Sequence, residues 1–419
     1  MKLCILGSGV IGVTTAYALA SRGHEVTVIE RNSEAARECS FANGGQLSYS
    51  HAEPWANPGV FLKLWKWMFQ EDAPLVLRPR ADIHMARWGL LFLYNCLPAR
   101  AKAHAEAHLR LGLYSKKEMQ RIVEETGITF DRLEKGILHV FNSQKELNHA
   151  HDQMEFQAKL GCVEHILTRD QVLAMEPALQ HSAEKIVGGV HAPMDESGDI
   201  FQFTQKLAAL CKEKYGVTFE YGHHVRRLHV DHGKISHIET ESGYISGYDA
   251  YVLSLGAYSP IYLRQVGLHV PIYPMKGYSI TFPANEFSPT ISLTDSARKV
   301  VYSRLGDRVR VAGTAEFAGY NDAVRKIRID PIMRGVKALF PKADLSDVSE
   351  WACLRPSTPD GPPIVGSTPY SNLFVNTGHG TLGWTQAAGS AALLADVVDN
   401  KPTAIPLTGL NIERNLIRF

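Results

Sequence analysis

The first thirty residues constrain this chain more tightly than anything after them. Leu3 to Leu6 is a short apolar run that reads as a buried strand. GSGVIG follows, Gly7 to Gly12. VTTAYALASRG comes next, with Ala, Leu and Tyr at helical spacing and Gly23 as the stop. EVTVIE, Glu25 to Glu30, is a second strand that ends in an acid. Strand, glycine turn, helix, strand and terminal acid make a dinucleotide-binding βαβ unit. Gly7 permits the tight turn, Gly9 lets a pyrophosphate approach the backbone, and Gly12 allows close helix–strand packing. Ser8, Val10 and Ile11 complete the loop, where unpaired N–H groups at the helix start favour phosphate. Glu30 is suited to ribose hydroxyls and argues against a 2′-phosphate. Arg31 is then a neighbour of the adenosine or simply solvated.

The 419 residues exceed what one hydrophobic core usually supports, so two domains are expected. A formal net charge of +1 argues against nucleic acid as a partner. The six cysteines (4, 39, 96, 162, 211 and 353) show neither a C-x-x-C pair nor zinc spacing. That argues against a disulfide scaffold or a metal site and fits a reducing, cytoplasmic compartment. No signal peptide and no apolar run of about 18 residues is seen.

Three further segments bear on the cofactor. After Glu30 the chain enters a loop rich in Ser, Asn, Gly and Pro, Cys39 to Gly59. Its Asn43, Gly44, Gly45 and Gln46 can run beside a flat ring. Val217 to Ser259 reads as several strands broken by turns, with Val225 and Gly256 as cofactor-facing positions. Asn372 to Val398 reads as strand, glycine turn and helix. There Gly380, Thr381, Leu382 and Gly383 open a second helix N-terminus. One dipole for a pyrophosphate and another for a charged ring suit a reduced flavin better than a nicotinamide, so FAD is the expected cofactor.

Several stretches together resemble the D-amino-acid-oxidase-like family of flavoproteins, and within it the dehydrogenase branch. They are GSGVIG, SFANGGQLS, EPWANPG, LKLWKWMF, PMKGYS, LRPSTPDGPPIVG and TGHGTLGWTQAAGS, spread along essentially the whole chain. The resemblance implies non-covalent FAD and oxidative deamination of D-amino acids to 2-oxo acids and ammonia. It also implies electrons passed to a quinone or other respiratory acceptor. His51 departs from the family pattern, which has a Gly–Tyr-type sequence there, and this bears on substrate preference.

Amine oxidation by hydride transfer needs orientation and electrostatics more than a strong base, so the residue to find is a carboxylate clamp. Arg355 in LRPSTPDG offers a planar fork on a stiff backbone, and the resemblance implies that this Arg grips the substrate carboxylate. A structural pair with Asp360 is the alternative. Tyr278, Lys276, His379 and Gln46 are further candidates for substrate or ring contact. His223 and His224 read as solvated, and Trp384 as packing under the last helix. No metal-ligand spacing and no G-x-S-x-G elbow is present.

The expected architecture is α/β: a Rossmann-type FAD-binding domain with a second, antiparallel-sheet substrate domain. Residues 1–85, 185–265 and 350–419 are assigned to the first, and 86–184 and 266–349 to the second. VFLKLWKWMF, Val60 to Phe69, mixes aromatics with lysines and suits peripheral contact with the inner membrane. WGLLFLYNCL, Trp88 to Leu97, is a second apolar stretch. A buried helix pair over the substrate cavity is the other reading of both. Two other functions stay open. One is a flavin oxidase or dehydrogenase for D-proline, hydroxyproline or N-methylated glycine. The other is a flavin-containing partner subunit without its own substrate site.

Overall fold

The computed structural model describes residues 1–51, 55–60, 70–71 and 73–415. The elements that position the site are β1 (Lys2–Leu6), α1 (Val10–Ala20), β2 (Glu25–Glu30), α2 (Ile83–Asn95), α3 (Pro98–Thr126), β3 (Tyr273–Pro283), β4 (Arg308–Phe317), β5 (Ser349–Ser357), β6 (Leu373–Thr377) and α4 (Gly383–Val398).

β1 lies in the middle of a six-stranded sheet, parallel to β2 on one side and to Ala250–Leu253 on the other. Beyond these lie Thr218–Tyr221 and β6, both parallel, and Ile364–Ser367, an antiparallel edge. Side chains alternate across a strand, so one strand feeds two cores. Leu3 and Ile5 pack with Val13 and Tyr17 of α1 and with Ala387 and Ala391 of α4. Cys4 and Leu6 face Val225, Leu228 and Ile238 of a small three-stranded sheet on the other side. Almost every residue of α1 is buried, which is why its sequence is apolar all round rather than striped.

A larger sheet runs in the order β5, β3, β4, Val300–Leu305, Ser292–Asp295, Ile137–Phe141, Gly188–Ala192 and His165–Thr168, with Leu75–Leu77 also paired to β4. Its pairs are antiparallel except Ser292–Asp295 with Ile137–Phe141 and Leu75–Leu77 with β4. The helix Lys326–Leu339 covers one face through Ile329, Ile332 and Val336. The expected fold class is therefore present.

The sheets divide the chain differently from the expected boundaries. β5, Gly188–Ala192 and Leu75–Leu77 are strands of the large sheet, although all three were assigned to the cofactor part. α3, assigned to the substrate part, joins the cofactor core through Leu111, Met119 and Ile122. Alternation marks a strand but not the sheet that strand enters.

One expectation is overturned. Cys39 and Cys353 form a disulfide across 314 residues of sequence. No local spacing announces such a pair, because the loop after β2 meets β5 only in the fold. The cysteine pattern therefore gives no support to a reducing compartment. Cys4, Cys96, Cys162 and Cys211 are free and buried.

No helix among the described residues is long and apolar enough to cross a membrane. Of the Val60 to Phe69 stretch, only Val60 falls within the described residues, and it is buried. The other apolar stretch lies mostly on α2, which turns Trp88 and Phe92 inward and exposes Ile83, Leu90 and Tyr94.

Candidate active site

Two cavities meet at His379, Gly380 and Thr381. The first runs from the glycine loop to the start of α4. Gly7, Gly9, Val10, Ile11, Glu30, Arg31, Asn43, Val225, Gly256, Gly380, Thr381 and Gly383 all line it. Gly7 has φ +99° and passes so close to the strand end that a Cβ would sit 2.7 Å from the Ser254 carbonyl oxygen. A Cβ at Gly12 would overlap the Gly7 carbonyl, so this glycine serves packing and does not line the cavity. Gly9 is different: its Cβ would meet nothing nearer than the Ser40 Oγ at 3.6 Å. Its missing side chain leaves room in the cavity itself.

The Glu30 carboxylate is held in place on both oxygens. Ser8 donates to Oε2 from its N and its Oγ, each at 2.9 Å, and Asn32 donates to Oε1 from its N and its Nδ2, each at 2.8 Å. Ser8 thus positions the acid rather than lining the wall. Arg31 lies over the Tyr258 ring, 4.3 Å from its centroid, and donates from Nε to Glu38. The Ser40 hydroxyl accepts from the first amide of α1, Val10 N, at 3.0 Å. Sequence reasoning passed over Ser40, although a hydroxyl within the SFANGG loop was the available signal. It also passed over His223 and His224, read as solvated, which line the rim of this cavity.

Gly44, Gly45 and Gln46 are placed elsewhere. A Cβ on Gly44 would come within 2.7 Å of Val301, so this pair of glycines lets the loop lie on the large sheet. The Gln46 amide is committed to that sheet too, donating to Ser292, Leu293 and Thr294 at 3.1 to 3.2 Å.

β5 carries Arg355 into the same cavity. Its guanidinium has no hydrogen-bond or ion-pair partner among the described residues, and burial alone pulls its pKa down to about 10. Asp360, the alternative partner, pairs instead with Arg414 at 2.8 Å. The fork lies over Gly277 of β3, where any Cβ would collide with it. Met275 stands directly opposite Arg355 in the strand register. Lys276 and Tyr278 fall on the other face of β3, by simple alternation. There both bind Glu316 Oε1, at 2.9 and 2.6 Å, and neither lines a cavity. Glu316, though buried, is held down to about 2 by Tyr278, Lys276 and Arg78.

His379 walls both cavities. Its Nε2 meets Ser390 Oγ at 3.0 Å and its Nδ1 has no partner in the structure. Burial, with His108 nearby, lowers its pKa to about 3, so the ring is neutral at physiological pH. Ser254 Oγ, Asn376 Oδ1 and Trp384 Nε1, from residues of the same wall, are also buried without partners. Unpaired polar groups are uncommon in folded proteins, and here they gather where a polar ligand is expected.

The second cavity, of about 310 Å³, lies beyond Met275 and under α2. Its walls include Trp88, Phe92 and Phe317, and Leu382 faces it from the turn before α4. Trp88 and Phe92 belong to the apolar stretch whose other reading was a buried helix over the substrate cavity, whereas no sequence signal pointed to Phe317.

A polar cavity between a βαβ glycine loop and a second glycine turn, extended by an apolar chamber past an unpaired arginine, defines a flavin-dependent oxidoreductase. Residues 2–397 match the family described as FAD dependent oxidoreductase. A D-amino acid dehydrogenase of Paramagnetospirillum magneticum is 45% identical over 99% of both chains. One of Rhizobium rhizogenes is 43% identical over 99% of this chain and all of the other. Among solved structures, glycine oxidase from Bacillus cereus superposes with a TM-score of 0.73 at 22% identity, covering 96% of this chain and 95% of that one. The L-proline dehydrogenase of P. horikoshii gives 0.75 at 18% identity, covering 100% and 99%. The chain belongs to the FAD-dependent oxidoreductase family and, within it, to the group of those named D-amino acid dehydrogenase.

The residues present fit FAD. The open space at Gly9, the fixed acid at Glu30 and the N-terminal end of α1 suit its pyrophosphate and ribose. The turn from Gly380 to Gly383 offers a second helix start to the ring.

Proposed function

We propose that this chain oxidises D-amino acids to 2-oxo acids and ammonia and passes the electrons to a respiratory acceptor such as a quinone. The observation that carries this reading is Arg355, a partly buried guanidinium that lines the cofactor cavity and has no partner among the described residues. Such a group calls for an anion, and its planar fork matches a carboxylate in two hydrogen bonds.

FAD held between the glycine loop and the Gly380 to Gly383 turn would supply the acceptor for the hydride that leaves the substrate Cα. The chain's own residues prepare that event. Arg355 fixes the carboxylate, and Gly277 leaves the space in which the guanidinium lies. His379 stays neutral and adds no cation beside the substrate amine, which must itself be neutral for the transfer. Hydride loss from the neutral amine leaves an iminium ion directly, and water then hydrolyses it to the 2-oxo acid and ammonium. Much of the catalysis is orientation within an electrostatically prepared site.

The test is anaerobic addition of single amino acids while the flavin absorbance is followed. D-amino acids are expected to bleach it. Bleaching by L-forms alone, or only by proline-type and N-methylated substrates, would overturn the reading. For the acceptor, Ile83, Leu90 and Tyr94 expose apolar surface on one helix, which supports peripheral contact with a bilayer. Sedimentation with liposomes checks this, and a protein left wholly in the supernatant speaks against it.

A further inference from the structure

The apolar chamber carries an inference that deepens this reading. Its volume of about 310 Å³ is space for on the order of ten water molecules. Its described walls contain no Asp, Glu, Lys or Arg side chain. Two of its imidazoles, His108 and His379, are buried and held near pKa 3, chiefly by that burial. Apart from the His51 imidazole, which also lines the chamber, a charged group entering would lose its hydration without gaining a charged partner among the described walls.

The chamber is also placed to continue from the clamp. Met275 faces Arg355 across the strand pair and lines the chamber. Trp88 is anchored to the same strand as Arg355, its Nε1 donating to Ser357 O at 2.8 Å, and its ring stacks on Phe92.

Between these two aromatics sits Gly89. A glycine inside a helix weakens that helix, so it calls for a reason. The usual reasons are absent. Gly89 has no positive φ, and a Cβ built on it meets nothing within 4 Å among the described residues. It does line the chamber. What its missing side chain provides is empty volume.

We infer that this chamber receives the substrate's side chain, that it selects large uncharged apolar side chains, and that Gly89 sets its depth. The inference rests on the amino-acid reading above. A one-carbon side chain leaves the walls without contacts, whereas a benzyl or isobutyl group fills them. One methylene is worth roughly tenfold in such a pocket, so kcat/KM for D-phenylalanine, D-leucine and D-methionine should exceed that for D-alanine by about 100-fold. D-aspartate and D-lysine should be poorer than all three.

The experiment compares the holoenzyme with Gly89→Ala and Gly89→Leu in anaerobic flavin reduction by this panel. Binding of 3-phenylpropionate and of propionate is measured by calorimetry alongside. Leucine favours a helix over glycine, so flavin content and thermal stability should hold. Gly89→Leu should lower kcat/KM for D-phenylalanine at least tenfold and weaken 3-phenylpropionate to match. D-alanine and propionate should stay within about twofold, and Gly89→Ala should fall between. A wild-type preference for D-alanine, or an equal effect of Gly89→Leu on every substrate, overturns the inference and leaves the amino-acid reading standing. Unchanged flavin reduction with slower reoxidation by a quinone analogue also overturns it, by giving the chamber to the electron acceptor. No reduction by any amino acid removes the amino-acid reading and this inference with it.

Discussion

The two cavities are built by opposite means. The cofactor cavity is largely made of backbone: turns at Gly7, Gly256 and Gly380 with positive φ, two helix starts, and one acid fixed by Ser8 and Asn32. The chamber is made of side chains: Trp88 and Phe92 from α2, Phe317 from β4, Met275 from β3. A backbone cradle tolerates no added atom, whereas a side-chain wall can be resized. The difference teaches where this enzyme is fixed and where its specificity can vary. His379 stands on the boundary, and Arg355 lines the cofactor side.

The largest expected effects lie on the backbone side, and they separate two kinds of glycine. Gly12→Ala would overlap the Gly7 carbonyl, so both fold and flavin loading should fail. Gly9→Ala has room in the protein alone, its nearest neighbour being 3.6 Å away. Apoprotein stability should then change by only about 0.5 kcal/mol while flavin retention on gel filtration is lost. Flavin retained by Gly9→Ala at the wild-type ratio would contradict the pyrophosphate role given to that loop.

Arg355→Met comes next. Removing one partner of a buried charge pair costs roughly 2–5 kcal/mol, or about 30- to several-thousand-fold in kcat/KM. Flavin content should be unaffected, because the clamp lies outside the glycine cradle. An Arg355→Met enzyme with ordinary KM values would place the carboxylate elsewhere.

How much of this was legible follows the same division. The glycine loop, Glu30, the C-terminal turn and Arg355 were readable because each is a short run whose residue types answer a local demand. Tyr278 and its neighbour Lys276 were weighed as carboxylate contacts within PMKGYS, but strand alternation turns both to Glu316. Gln46 looked free in a polar loop, yet its amide is committed to the large sheet. Among the chamber's aromatics, Trp88 and Phe92 lay in the apolar stretch whose other reading was a buried helix over the substrate cavity; Phe317 had no signal, standing 229 positions from Trp88 in the numbering and meeting it with ring centroids 4.6 Å apart.

The disulfide joins the two regimes. Cys39 immediately precedes Ser40, which binds the first amide of α1, and Cys353 lies two residues before Arg355 on β5. It therefore ties the cofactor loop to the clamp strand. A Cys39→Ser, Cys353→Ser double variant should lose about 2–4 kcal/mol in stability and hold FAD more weakly. A dithiol reductant should reproduce both effects in the wild type and do nothing further to the double variant. Free-thiol counting before and after reduction checks that the bond was present. Unchanged flavin affinity after verified reduction would make the bond irrelevant to the cofactor.

The smallest effect concerns the histidines. His108 is buried, binds Gln386 through Nδ1 at 2.9 Å, and is held near pKa 3 chiefly by burial. In the unfolded chain an imidazole titrates near 6.5. Between these two values the unfolded state binds more protons than the folded one, so stability falls as pH falls from about 6.5 toward 3. Each such histidine removes about 1.4 kcal/mol per pH unit within that window, or roughly 2 kcal/mol by pH 5. His379 should contribute in the same direction, since its pKa is lowered in the same way. His108→Gln keeps a polar group beside Gln386 and removes one titrating site. Urea denaturation at pH 7 should show a small loss against wild type, about 1 kcal/mol for a disturbed buried hydrogen bond. At pH 5 the order should close or reverse, because the variant no longer has that proton to take up. A variant that loses as much stability as wild type between pH 7 and pH 5 would show that His108 is not held neutral at this boundary.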